Sequence, residues 1–108
     1  MSVRLLDKGR GVGGRMSTRR MDGARLDHGA QYFTVRDSKL QKFVNTWLDA
    51  GVVKEWFRHL PEDSNPEGYP RYCGFRGMTD VPKYLAKDLD VCLCAEVTKL
   101  IREPDSWT

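Results

Sequence analysis

Leu5-Leu6-Asp7-Lys8-Gly9-Arg10-Gly11-Val12-Gly13-Gly14-Arg15-Met16 decides how this chain is read. From Gly9 it spells G-x-G-x-x-G, the spacing of a dinucleotide-binding fingerprint, and it follows a short apolar run. In that fingerprint the third glycine opens a helix whose N-terminal dipole faces a pyrophosphate. Here the segment after Gly14 is Arg-Met-Ser-Thr-Arg-Arg-Met-Asp-Gly. It is short, has no apolar helical face, and is broken by Asp22-Gly23. The spacing alone is weak evidence, and the context argues against it. A different feature stands out. Val3-Arg4-Leu5-Leu6-Asp7 is an apolar strand ending in a carboxylate, the form of the second strand of a dinucleotide fold, whose acid holds ribose hydroxyls. On this reading the glycine loop is the next segment along, its backbone able to approach a ligand closely. Arg15 then brings charge to a phosphate oxygen. The competing account is a plain strand–turn junction with a surface arginine.

Working outward, Met16–Met21 and Ala24–His28 flank Asp22-Gly23, a dipeptide favoured in two-residue hairpin turns, and a hairpin is expected there. Leu40, Phe43, Val44, Trp47 and Leu48 recur at helical spacing. They predict a helix over 38–50 with one apolar face, capped by Asp37 or Ser38 and ended by Gly51 in the left-handed conformation. Val52–Phe57 reads as a strand. Leu60–Pro70 carries three prolines, Asn65 and Gly68 and reads as a loop. Arg71–Phe75 reads as a short strand. Thr79 is the expected cap of a second helix reaching Leu89, with Pro82 tolerated in its first turn. Val91, Leu93, Ala95 and Val97 alternate with Cys92, Cys94 and Glu96, predicting a strand over 91–97 with both cysteines on one face. Trp107-Thr108 sits where a partner to that strand would begin.

The chain has 108 residues, within the size of a single domain. No apolar run approaches the roughly 20 residues that span a bilayer, and the N-terminal residues do not have the form of a secretion signal. Cys73, Cys92 and Cys94 make an odd count with no disulfide framework. Free thiols and a cytoplasmic location are the expectation. With no histidine near them, Cys92 and Cys94 are not expected to bind metal. Net charge is +3, and the excess is local: Arg4, Lys8, Arg10, Arg15, Arg19, Arg20 and Arg25 face only Asp7 and Asp22 within the first 25 residues. Such a cluster suits nucleic acid or a phosphorylated small molecule. A single glycine loop between structured pieces, without repeats or interleaved aromatics, argues against an RNA-binding arginine–glycine segment.

Two segments together resemble a known family. Val3–Lys8 followed by Gly13-Gly14-Arg15-Met16-Ser17-Thr18-Arg19 is similar to the second strand and Gly-Gly-Arg loop of the flavin-containing amine oxidase superfamily. Asp27-His28-Gly29-Ala30-Gln31-Tyr32-Phe33-Thr34 resembles a segment of its renalase-like branch. Gly77-Met78-Thr79, then Val91–Ile101 and Trp107, follow in the same order.

The resemblance implies an α/β fold, part of a Rossmann-like FAD-binding domain, with a piece of a mixed-sheet substrate domain. The family's first strand and fingerprint helix, roughly 30 residues, have no counterpart in this sequence. It implies three stretches: 1–36 binding FAD, 37–76 leading toward the substrate domain, and 77–108 returning to the FAD domain. FAD is the implied cofactor. Asp7 would hold the adenosine ribose, with Lys8 and Arg10 nearby. Gly13, Gly14, Arg15 and Met16 would line the pyrophosphate and the approach to the flavin. Gly29, Ala30, Gln31 and Tyr32 would pass the isoalloxazine ring, and the Val97 backbone would meet the adenine edge. Tyr32 and Phe33 as core aromatics, and Val97 as a buried strand residue, are the structural alternatives. The implied reaction oxidises a small substrate, an amine or a reduced nicotinamide dinucleotide, by hydride transfer to flavin with oxygen as acceptor. No nucleic-acid or membrane partner is expected. Poor FAD binding by this piece alone and self-association through exposed sheet are further expectations; the alternatives to the enzyme reading are an inactive or interaction module and, ranked below it, a basic nucleic-acid-binding domain.

Overall fold

The computed structural model describes residues 2–58 and 68–108. The fold is mixed α/β, with three two-stranded sheets and two helices among the described residues. β1 (Arg4–Leu6) pairs in parallel with β6 (Asp90–Cys92), Leu5 opposite Val91. β2 (Thr18–Met21) and β3 (Ala24–Asp27) form an antiparallel hairpin. β4 (Val53–Phe57) pairs antiparallel with β5 (Arg71–Gly74), and an isolated bridge adds Phe33 to Tyr72 of β5.

The hairpin follows from its turn. Asp22 and Gly23 both have positive φ, 48° and 80°. That is the condition for a two-residue turn whose twist matches the strands. The sequence placed Met16 at the start of the hairpin's first arm; in the structure that arm begins at Thr18. Gly14–Met16 closes a short 3-10 turn, with the Met16 and Ser17 amides donating to Gly13 and Gly14 carbonyls. No fingerprint helix follows Gly14, in line with the sequence reading.

α1 (Ser38–Asp49) has the expected ends. The Asp37 carboxylate accepts from the Lys39 and Leu40 amides at 2.8 and 3.1 Å. At the other end Gly51 has φ 70°, and the Gly51 and Val52 amides donate to Leu48 and Trp47 carbonyls. This double closure satisfies carbonyls the helix leaves open. The apolar face is only partly used. Val44 and Trp47 are buried, whereas Leu40 and Phe43 are exposed. α1 packs on β4, with Val44 and Trp47 in the core and Leu48 at its rim.

The core joins α1, the β4–β5 pair and the turn before α2: Val35, Val44, Trp47, Val53, Tyr72, Cys73, Met78 and Val81. Met16, Phe33, Leu48 and Val52 pack at its rim. Every residue of β1 is exposed, so that strand is held by its ladder to β6 rather than by the core.

Three sequence expectations are corrected. The 91–97 strand stops at Cys92, because Cys94 turns left-handed with φ 57°. The Cys94 and Ala95 amides then donate to the Gly9 and Asp7 carbonyls, so the chain folds over the glycine loop instead of continuing. Cys92 and Cys94 therefore do not share a strand face. The second helix is α2 (Asp80–Ala86), ending short of Leu89, and the Thr79 side chain makes no capping bond. The Thr79 amide is instead taken by Thr18 Oγ1. Trp107-Thr108 pairs with Ile101-Arg102 in a small terminal hairpin, not with β6. The expected proline loop lies mostly outside the described residues; Gly68–Pro70 is irregular.

Candidate functional site

Asp7 lies one residue past β1, at the carboxyl end of the parallel pair. Open α/β sheets bind ligands outside the carboxyl ends of their strands. The Asp7 backbone is fully engaged: its amide donates to Cys92 O and its carbonyl accepts from Ala95 N, both at 2.9 Å. Its carboxylate Oδ1 accepts the Gly9 amide at 2.7 Å, which fixes the start of the loop. A Cβ on Gly9 would sit 3.0 Å from that oxygen, so glycine suits this position. Among the described residues no protein donor is found for Oδ2.

Asp7, Lys8, Arg10 and Gly14 line one groove of about 500 Å³ together with Thr18, Thr79 and Lys83. Of the residues singled out in the sequence, these first four converge directly. Gly13 does not line the groove but packs against the turn before α2. It has φ 123°, and a Cβ there would lie 3.1 Å from Pro82 and 3.2 Å from Thr79. Arg15 is exposed, and Met16 is half-buried against the core.

Gly29 and Ala30 join the Arg15 turn by backbone alone. The Ala30 amide donates to Arg15 O at 2.8 Å, and a Cβ on Gly29 would fall 2.0 Å from the same oxygen. Gly29 is thus required by this close approach, independent of any ligand. Gln31 faces a second hollow of about 440 Å³ with Trp56, Cys73 and Phe75. Burial raises the Cys73 thiol pKa, with Asp27 adding in the same direction and Lys54 opposing. Tyr32 is not a core aromatic: it is 45% exposed and packs edge-on against Trp56 and Phe57. The Arg71 guanidinium lies 5.6 Å over its ring and 4.9 Å over Phe57. Val97 is exposed, in the irregular segment after β6, and does not line the groove.

Sequence reasoning missed Thr18, Thr79 and Lys83. One signal for them existed. A crossover between neighbouring parallel strands brings its preceding helix back beside the first strand's end. Pairing β1 with β6 therefore brings Thr79 and Lys83 of the α2 region to the Asp7 loop.

Comparison with known families agrees with this geometry for the N-terminal part. A family model described as an NAD(P)-binding Rossmann-like domain matches residues 1–47. The match covers β1, the glycine loop, the hairpin and most of α1. Residues 1–47 are thus similar to a Rossmann-like segment of the dinucleotide-binding class. No helix among the described residues is long and apolar enough to cross a membrane, and no group of three potential metal ligands occurs among them.

Proposed function

We propose that this chain is part of an FAD-dependent oxidoreductase of the renalase-like amine oxidase group, with Asp7 receiving the adenosine ribose. The observation that carries this is the Asp7 carboxylate at the end of a parallel strand, in a groove shared with the glycine loop. A carboxylate oxygen without a protein donor suits ribose hydroxyls. Lys8 and Arg10 would attract the phosphates, Gly13 and Gly14 would let backbone approach the pyrophosphate, and Arg15 would pair with its oxygens. Gly29, Ala30, Gln31 and Tyr32 would run along the isoalloxazine, with Met16 behind the Arg15 turn and the Val97 backbone toward adenine.

FAD supplies a hydride acceptor when bound. The residues of this chain bind and orient it, and the Tyr32–Trp56–Phe57 cluster offers an apolar wall for the small substrate, an amine or a reduced nicotinamide dinucleotide. The ribose end fits best, since Asp7, Lys8, Arg10 and Gly14 share one groove. Gln31 opens onto a separate hollow. That separation favours a second reading for the piece on its own, a nucleotide-binding or interaction module without turnover.

Titration of the purified chain with FAD, followed by visible absorption, and with ADP-ribose, followed by calorimetry, tests both. Binding of both ligands, weakened about tenfold or more by Asp7→Ala, supports the oxidoreductase reading. ADP-ribose binding without FAD supports the second reading. Binding of neither overturns the site.

A further inference from the structure

A basic cavity lies on the far side of the hairpin from its Met21–Leu26 face. Residues two apart in a strand share a face. Thr18 and Arg20 of β2 therefore face the same way as Arg25 and Asp27 of β3. Arg20 stands directly opposite Arg25 in the ladder. Opposed residues of this kind have Cβ atoms about 5 Å apart, and like charges there destabilise the pair. The Asp22-Gly23 turn fixes the register, so the two arginines stay opposite each other in the ladder.

The turn before α2 adds to this charge. Arg20 and Arg25, together with Arg76 and Lys83, line a cavity of about 230 Å³ whose one carboxylate is Asp80. That carboxylate already accepts the Arg76 amide at 2.9 Å and lies 3.7 Å from Arg76 Nε. Among the described residues neither Arg20 nor Arg25 has an ion-pair partner. Thr18 Oγ1 is committed to Asp27 and the Thr79 amide, so apart from the Thr79 hydroxyl the side chains left free to engage a ligand are cationic.

We propose that this cavity is an anion site for one phosphate group, as carried by a phosphate monoester, adjoining the Asp7 groove, with which it shares Thr18, Thr79 and Lys83, and built on Arg20, Arg25 and Arg76, which that groove does not use. A phosphate would relieve the Arg20–Arg25 opposition and accept charge-assisted bonds from both guanidinium forks. The cavity volume suits a single phosphate rather than a nucleotide, and the site stands whether or not Asp7 binds ribose. A phosphate carried by a nucleic-acid backbone is the competing source. It would use the whole basic surface, Arg19 included.

The test is calorimetric titration of the intact chain with inorganic phosphate and a small phosphate monoester at low ionic strength, beside a short single-stranded oligonucleotide. The expected result is saturable one-to-one phosphate binding, weakened about tenfold by Arg20→Gln or Arg25→Gln. Arg19→Gln removes the same charge from the opposite hairpin face, and binding there is expected to stay within about twofold. Thermal melts provide the second readout: at one phosphate concentration the melting temperature rises equally in the wild type and Arg19→Gln, and by less in the other two. Non-saturable phosphate binding overturns the proposal. Equal loss in Arg19→Gln also overturns it, as does oligonucleotide binding tighter than phosphate and equally sensitive to all three arginines.

Discussion

The Asp27 carboxylate accepts the Met78 amide at 3.0 and 3.1 Å across 51 residues of sequence, and it takes the Thr18 hydroxyl at 2.6 Å. Thr18 Oγ1 in turn accepts the Thr79 amide at 3.1 Å. One half-buried side chain thus ties the hairpin to the turn before α2. That turn also delivers Met78 to the core and Thr79 to the groove. Leaving a buried amide without its acceptor costs about 1–3 kcal/mol, more where the lost partner was charged. Asp27→Ala is expected to destabilise the chain by about 3 kcal/mol, with Asp27→Asn retaining part of the loss. Urea unfolding followed by tryptophan fluorescence checks both.

Gly29 and Gly11 separate packing from flexibility. A Cβ at Gly29 would meet Arg15 O at 2.0 Å, whereas one at Gly11 meets nothing within 4 Å. Gly29→Ala must push the Arg15 turn away and is expected to cost about 2–3 kcal/mol. Gly11→Ala is expected to lie within about 1 kcal/mol of wild type. Equal melting temperatures for the two variants would show that the close approach does not hold in solution.

The ends of α1 give a calibrated pair. Asp37→Ala removes the acceptor for two amides and is expected to cost about 1 kcal/mol. Gly51→Ala places a side chain at φ 70° and is expected to cost a similar amount, about 1 kcal/mol. The sites lie at opposite ends of the helix, so the double variant should lose close to the sum of the two. Circular dichroism melts of the three proteins measure it.

The three thiols are expected to divide by burial. Cys92 and Cys94 are exposed and Cys73 is buried. Alkylation at neutral pH should label the first two quickly and Cys73 only after unfolding. Burial favours the neutral thiol of Cys73, so its pKa is higher folded than unfolded. Above the ordinary thiol pKa, about 9, the unfolded chain has released a proton that the folded chain keeps. Stability contributed by this group is therefore complete below that pH and falls as pH rises further. Wild type should lose more stability than Cys73→Ala between pH 8 and pH 10, as read by urea midpoints. An identical loss in both would remove Cys73 as the cause.

Much of the local structure was legible because its causes are local. Asp22-Gly23 dictates a tight turn wherever it lies between strand-forming segments. Asp37 and Gly51 bracket a helix whose period is set by Val44, Trp47 and Leu48. Asp7 after an apolar run marks a strand end, and the lack of a helix after Gly14 was visible in the short polar segment that follows it. Alternation over 91–97 misled, because a period of two records side-chain preference and not where backbone groups find partners. Cys94 and Ala95 find theirs in the glycine loop, and the strand ends there. Leu40 and Phe43 misled likewise, since helical spacing gives a stripe without saying how much of it is covered.

By itself the sequence determined the turn, the caps, the strand ending in Asp7 and the charge of the first 25 residues, all set by neighbours within a few positions. Only the tertiary structure decided that β1 pairs with β6, that Gly29 must pass against Arg15 and that Asp27 holds Met78. It also brought Thr79 and Lys83 to the Asp7 groove, and Arg76 and Lys83 to the paired arginines of the hairpin. Those contacts join residues tens of positions apart. Their strength depends on burial and on backbone partners that local spacing does not encode.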